Sequence, residues 1–257
     1  MTNHGLITGA GTGIGAAIAD RLAADGTNLI LVARDGARLD DTARRLRAAH
    51  GVEVRTVPLD LSLPDGPADL ERQLAGTDID VLINNAAVAH VGTVADVGPD
   101  RIRATVDLNA GAVAEITARF LPAMLARGRG AVVNIASTAA YTPAPWNAVY
   151  AASKAFVLSY TRALAIETEG TGVRVVAVSP GAVETPMNPG HFRGKRHPGQ
   201  VADTVAAALR GGAPAVVDGR LYRAQVFVFS RLLPTRTAAR MIGRFFARAA
   251  LKSVARR

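Results

Sequence analysis

The chain reads as one α/β domain built on a doubly wound parallel sheet. Two observations lead there. Short apolar runs, too continuous for half-solvated strands, alternate with longer stretches whose apolar positions recur every three or four residues. A glycine-rich turn follows the first of these runs at once and opens a helical pattern. Strands that are apolar on both faces need helices above and below, and right-handed crossovers then wind the chain in two directions from its middle.

The elements follow in order. His4–Thr8 (HGLIT) is the first strand, and residues 13–25 carry Ile14, Ala17, Ile18, Leu22 and Ala23 on one helical face. Asn28–Ala33 is the second strand, followed by a helix over 38–49 with Leu39 and Leu46 inward and its arginines outward. Residues 52–59 form a third strand, and Val81–Asn84 a fourth, apolar on both faces. A long helix over about 101–127 ends near Gly128 and Gly130, and a fifth strand covers 131–136. A helix over about 148–169 and a sixth strand, Val173–Ser179, complete the pattern. Residues 184–200, rich in Pro, Gly and charge, read as a loop over the substrate rather than a domain boundary. The expected organisation is a catalytic domain over 1–219 and a basic extension over 220–257.

Composition excludes several classes. At 49% hydrophobic the chain has enough apolar material for a large core and is no disordered tail. It contains no Cys, so disulfides, thiolate catalysis and cysteine-held zinc are excluded. Its five His show no metal-ligand spacing, and no metal is expected. Neither a signal peptide nor an apolar span long enough to cross a bilayer is visible, so the expectation is a soluble, cytoplasmic protein. The net charge of +9 is unevenly placed: residues 1–219 balance to −1, whereas 220–257 hold ten Lys/Arg and no acid.

The turn is Thr8-Gly9-Ala10-Gly11-Thr12-Gly13-Ile14-Gly15. Side chains there would block the approach of a pyrophosphate, and the helix that follows offers free N–H groups and a positive dipole end to that anion. An acid that reads the ribose of NAD belongs about 20 residues further on. That place holds Ala33, followed by Arg34, whose guanidinium is a natural fork for a 2′-phosphate, with the Thr12 hydroxyl as a second contact. NADP(H) is therefore favoured over NAD(H), with Asp35 as the residue that can instead reach a ribose diol.

Tyr150 and Lys154 stand four apart on one helix and so share a face. A nearby cation favours a phenolate, so the lysine is expected to bring the Tyr150 phenol into range as a general acid in carbonyl reduction and a base in alcohol oxidation. Ser137, just after the fifth strand, can polarise a carbonyl oxygen.

TGxxxGxG, Asn84-Asn85-Ala86, Asn109, Ser137, Tyr150 and Lys154 occur in an order and spacing that resemble the short-chain dehydrogenase/reductase family over about residues 4–210. The resemblance implies a Rossmann-type fold and hydride transfer between a nicotinamide and a carbonyl or carbinol carbon. It implies that Gly9, Gly13, Ile14 and Gly15 line the pyrophosphate and that Asp60 and Leu61 meet adenine. By the same resemblance Asn85 and Ala86 lie beside the ribose, Lys154 binds the nicotinamide ribose, and Asn109 steers a proton-relay water. Pro180, Gly181, Val183 and Thr185 would close over the nicotinamide. The family usually has Gly where this chain has Ala87, which implies a tighter fit. Homodimers or homotetramers through the helices at 101–127 and 148–169 are implied as well.

The pocket wall is expected to use Thr138, Tyr141, Pro143 and Trp146, with Met187 and Phe192 from the following loop, where His191 reads either as a substrate contact or as a solvated loop residue. These are mostly apolar, which suits a hydrophobic ketone or secondary alcohol: a steroid-like ring, a polyketide, a 3-oxoacyl chain or a retinoid. Arg193, Lys195 and Arg196 suit either a carrier phosphate or plain solvation. In the extension Arg236, Arg240, Arg244, Arg248, Lys252 and Arg256 recur every fourth residue, with apolar residues largely on the other side. Such a helix can lie on an anionic membrane, contact a second subunit or cover the pocket. No nucleic acid partner is expected, since no stacking platform is visible. A dinucleotide-binding regulator and a membrane-tethering module on the same fold are the alternatives to an enzyme.

Overall fold

The computed structural model describes residues 3–188 and 194–254. Among them the chain runs β1 (His4–Thr8), α1 (Gly13–Ala24), β2 (Asn28–Ala33), α2 (Gly36–His50), β3 (Val54–Pro58), α3 (Gly66–Gln73) and β4 (Val81–Asn84). Then follow α4 (Val94–Val97), α5 (Pro99–Val106), a π-turn (Asp107–Gly111), α6 (Ala112–Arg127) and β5 (Gly130–Ile135). After a 3₁₀ turn (Thr138–Tyr141) come α7 (Ala148–Glu167), β6 (Val173–Ser179), α8 (Pro198–Arg210) and β7 (Ala215–Val217). The chain closes with α9 (Arg220–Phe227), a second π-turn (Val228–Leu232) and α10 (Thr235–Val254).

All seven strands are parallel, in the order β3-β2-β1-β4-β5-β6-β7. Side chains alternate across this sheet. Ile7, Leu31, Ile83, Val133 and Val176 enter a core roofed by residues of α1, α2 and α8. Leu6, Ile30, Leu82, Val132 and Val175 enter the opposite core with Ile116, Phe120 and Met124 of α6. That double burial is why the strands read as continuous apolar runs.

The order reverses between β1 and β4, so the loops after these two strands diverge and leave a crevice at their carboxyl ends. Asn85 bridges the gap, its Nδ2 donating to the carbonyl of Thr8 at 2.9 Å. Deeper in, Asn84 donates to Asn134 and Thr117, and Asn134 donates to Thr161. This buried chain ties β4 and β5 to α6 and α7, the helix that carries the tyrosine and lysine.

The sequence reading differs from this architecture in several places, among them α3, α4 and α8, which it did not include. The long helix over 101–127 contains a π-turn at Asp107–Gly111. The third strand is shorter than read, starting at Val54. β7 carries no sequence signal, because three half-buried residues show no period. Among the described residues no helix is long and apolar enough to cross a membrane.

Candidate active site

The crevice is a cleft of about 1280 Å3. Its floor at one end is the glycine turn. Gly9, Thr12, Gly13 and Ile14 line it, while Gly15 lies beneath, where a Cβ would come within 2.3 Å of the Gly9 carbonyl oxygen. Gly13 has φ 57°, and a Cβ there would stand 2.9 Å from the Thr185 methyl. Thr12 flanks α1 without capping it by its side chain, so no side-chain oxygen blocks the helix end. An uncapped helix N-terminus behind a turn stripped of side chains fits the diphosphate of a dinucleotide.

At the far end of β2, Ala33, Arg34, Asp35 and Arg38 line the cleft. The Asp35 carboxylate accepts from the Arg38 backbone N–H and so caps α2. That occupies one of its two oxygens. Arg34 lies 3.7 Å from Asp60 and is two-thirds exposed, and Arg38 pairs with Asp35 at 3.0 Å. Exposed pairs of this kind hold their partners weakly, so both guanidiniums can turn to an incoming anion. Arg38 was not visible to the sequence reading. It enters the site because α2 starts at Gly36, which brings its first turn alongside Gly11. Asp60 and Leu61 line the same end. Burial raises the Asp60 pKa, but hydrogen bonds from Ser62 and the Arg34 charge outweigh it and hold the carboxyl below its usual range.

Ser137, Tyr150 and Lys154 line the same cleft, as do Asn85, Ala86 and Ala87. Ser137 caps the 3₁₀ turn, its Oγ accepting from the Ala139 N–H, and its hydroxyl hydrogen-bonds Tyr150. Lys154 is buried, and its Nζ donates to the Ile135 carbonyl at 2.8 Å. The ammonium stands 5.9 Å from the centre of the Tyr150 ring. Burial depresses the Lys154 pKa from 10.5 to about 8. Burial likewise pushes the Tyr150 phenol up, and only the Ser137 hydrogen bond opposes it. Burial thus outweighs any lowering of the tyrosine by the lysine.

Asn109 sits in the π-turn, fully buried and off the cleft wall. Its Oδ1 accepts from Val88 N–H and its Nδ2 donates to the Val88 carbonyl, both at 2.8 Å. It also donates to Ser153, which in turn donates to the Tyr150 carbonyl. The side chain thus positions the loop after β4 against α7. Such single π-turns are frequent at functional sites.

The substrate side departs most from expectation. Thr138 and Met187 line the cleft, as do Pro180, Gly181, Val183 and Thr185. Tyr141, Pro143 and Trp146 do not. The 3₁₀ turn aims Tyr141 at Ser179 and under Arg162, and Pro143 faces solvent. Trp146 takes a left-handed φ of 69°, and its carbonyl accepts from Gly92. Phe192, His191 and Arg193 lie outside the described residues. Arg196 does not face a phosphate, since it pairs at 2.6 Å with the fully buried Asp218.

The missing wall comes from the C-terminal helices. Leu221, Val226, Phe229, Met241, Ile242 and Phe246 line the cleft. The Tyr222 ring packs over Gly181, where a Cβ would fall 2.3 Å from it, and its hydroxyl donates to the Gly194 carbonyl. Among the described residues the extension is a wall of the pocket. Asn147, also unforeseen, lines the cleft one turn before Tyr150, with a buried Oδ1 that meets no donor. No group of three His, Asp or Glu among the described residues is placed to hold a metal ion.

Comparison with known proteins agrees with this geometry. The family model described as short chain dehydrogenase matches residues 3–195. The 7beta-hydroxysteroid dehydrogenase of Collinsella aerofaciens is 33% identical over 71% of this chain and 69% of its own length. A solved 7beta-hydroxysteroid dehydrogenase structure, examined for its stereoselectivity, superposes with a TM-score of 0.88 at 27% identity, covering 93% of this chain and 96% of that one. A short-chain dehydrogenase from Sphingobium yanoikuyae in complex with NADPH gives 0.81 at 31% identity, over 90% and 96% of the two chains. With its glycine turn, Ser137, Tyr150 and Lys154 on one cleft, the chain belongs to the short-chain dehydrogenase family and is a nicotinamide-dependent oxidoreductase.

Proposed function

We propose that the protein is an NADP(H)-dependent reductase of bulky hydrophobic ketones, or the dehydrogenase of the matching secondary alcohols. The observation that carries this is the pairing of two features in one cleft. Arg34 and Arg38 flank an apolar Ala33 at the cofactor end, and aliphatic and aromatic side chains of α9 and α10 line the other. Two guanidiniums suit a 2′-phosphate, and the lining suits a substrate with few charges. The cleft volume accommodates a dinucleotide together with a ring system. Similarity to a 7beta-hydroxysteroid dehydrogenase supports a steroid-like ring, and similarity to a ketoacyl reductase at 34% identity supports a 3-oxoacyl chain as well.

The bound nicotinamide supplies or accepts the hydride. The protein contributes the proton and the orientation. The Ser137 hydroxyl donates to the substrate oxygen and polarises the carbonyl, and Tyr150 delivers its phenolic proton to that oxygen in the reductive direction. Burial favours the protonated phenol, which suits donation. Lys154, with a pKa near 8, keeps a proton available beside the tyrosine at neutral pH. Gly13, Ile14, Asp60, Asn85 and Ala86 hold the dinucleotide along the crevice.

Association into a homodimer or homotetramer through α6 and α7 is supported by Leu125, Phe156 and Ile166, which stand exposed on those helices. Oxidation of NADPH over a panel of cyclic and long-chain ketones, with NADH as the control, tests the reading. Turnover of bulky ketones at higher kcat/KM with NADPH is expected. Exclusive use of NADH, or turnover of charged substrates only, would overturn it.

A further inference from the structure

We infer that α9 and α10 form a docking face for an anionic lipid surface, through which a membrane-dissolved substrate enters the cleft. This rests on the hydrophobic-substrate reading above.

The first observation is an apolar helix left in water. Residues 220–232 are helical throughout, yet none of them is buried. Leu221 is 82% exposed, Phe227 58% and Leu232 63%. Short helices draw their stability from the packing of an apolar face, so large side chains displayed on one mark a surface that meets something.

The second observation is charge. Residues 220–257 contain ten Lys/Arg and no acid, while the rest of the chain is nearly neutral. Arg220, Arg223, Arg231, Arg236, Arg240 and Arg244 are exposed. None of them joins an ion pair among the described residues, whereas Arg21, Arg45, Arg103, Arg119 and Arg127 each do. Guanidiniums interleaved with Leu and Phe match the boundary between phosphate headgroups and acyl chains.

The alternatives fit less well. A two-fold contact with a second copy would set this basic face against itself. A nucleic acid would satisfy the arginines but leave Leu221, Val228 and Leu232 in water.

The third observation is continuity with the cleft. Leu221 and Met241 are both exposed and both line it, and Val226, Phe229 and Ile242 continue the same wall inward. The docking face and the pocket wall are therefore two sides of one pair of helices. A face seated in headgroups would open the cleft toward the acyl chains.

The test uses the full chain and flotation with two kinds of vesicle, phosphatidylcholine alone and phosphatidylcholine with phosphatidylglycerol in equal parts. The wild type should float with the anionic vesicles in low salt, be released in high salt, and remain in solution with the neutral ones. Replacing Arg231, Arg236 and Arg240 together by Gln should lower partitioning on the order of 100-fold. Phe227→Ser with Leu232→Ser should lower it about tenfold or more. Neither set lines the cleft, so NADPH oxidation with a water-soluble ketone should stay within about twofold of wild type, a check that both variants fold. A hydrophobic ketone carried in anionic vesicles should be turned over more slowly by both variants.

Failure of the wild type to float in low salt, equal flotation with neutral vesicles, or undiminished flotation of both variants would overturn the proposal. So would a change of oligomeric state in the Phe227→Ser, Leu232→Ser variant without vesicle binding, which would assign the face to a second copy. Flotation without turnover of any ketone would leave the docking face standing and overturn only the substrate reading.

Discussion

Replacing Lys154 by methionine should make the ligand-free protein more stable at neutral pH while removing its activity. The ammonium is buried and makes one hydrogen bond, to the Ile135 carbonyl. Burial brings its pKa down from 10.5 to about 8. At ~1.4 kcal/mol per pH unit, that gap represents on the order of 3 kcal/mol of folding free energy lost to keeping the charged form inside. Methionine is unbranched and fills the same channel, and the carbonyl loses a donor worth about 1 kcal/mol. The expected net gain is about 2 kcal/mol at pH 7.

The pH dependence carries the sign. Between pH 8 and 10.5 the folded wild type holds fewer protons on this lysine than the unfolded chain does. Its stability therefore rises with pH across that window, and the penalty is complete below it. The methionine advantage should be largest at pH 7 and shrink toward pH 10. Tyr150, whose phenol burial holds above its usual value, is common to both proteins and cancels in the comparison. Urea unfolding followed by circular dichroism, at one protein concentration, measures the difference. A variant less stable than wild type at pH 7 would refute the reasoning, and so would an advantage equal at pH 7 and pH 9.5.

Tyr150→Phe should lower kcat by about 10²–10⁴-fold, with NADPH affinity within a few-fold of wild type by fluorescence titration; lost affinity would contradict a proton-transfer role. Replacing Arg34 and Arg38 together by Ala should cut the NADPH-over-NADH ratio of kcat/KM by about 10–100-fold, because charge-assisted hydrogen bonds to the extra phosphate are lost. Gly15→Ala should abolish dinucleotide binding, since its Cβ would stand 2.3 Å from the Gly9 carbonyl oxygen. Gly11→Ala should be tolerated, since its Cβ finds nothing nearer than the Arg38 Cβ at 3.7 Å. Equal effects of the two substitutions on NADPH titration would show that the turn is not packed in this way.

By itself the sequence determined most of the sheet and the candidate reacting groups. Doubly buried strands need unbroken apolar runs, and β1, β2, β4 and β6 carry them with bounds that match the reading. The glycine turn is legible because only glycine fits where Gly9 and Gly13 stand at positive φ. Tyr150 and Lys154 are legible because helical periodicity alone makes them neighbours. Tertiary structure decided everything that depends on distant segments meeting. It turned Tyr141 and Trp146 away from the cleft and supplied part of the cleft wall from α9 and α10, which lie far along the chain from Ser137. It brought Arg38 beside Arg34 and left Asn147 with an unsatisfied oxygen on the cleft. It also buried the Tyr150 phenol, which raises its pKa. A spacing of four residues places a cation near a phenol, but burial of the phenol is a property of the packed interior, and no local pattern encodes it.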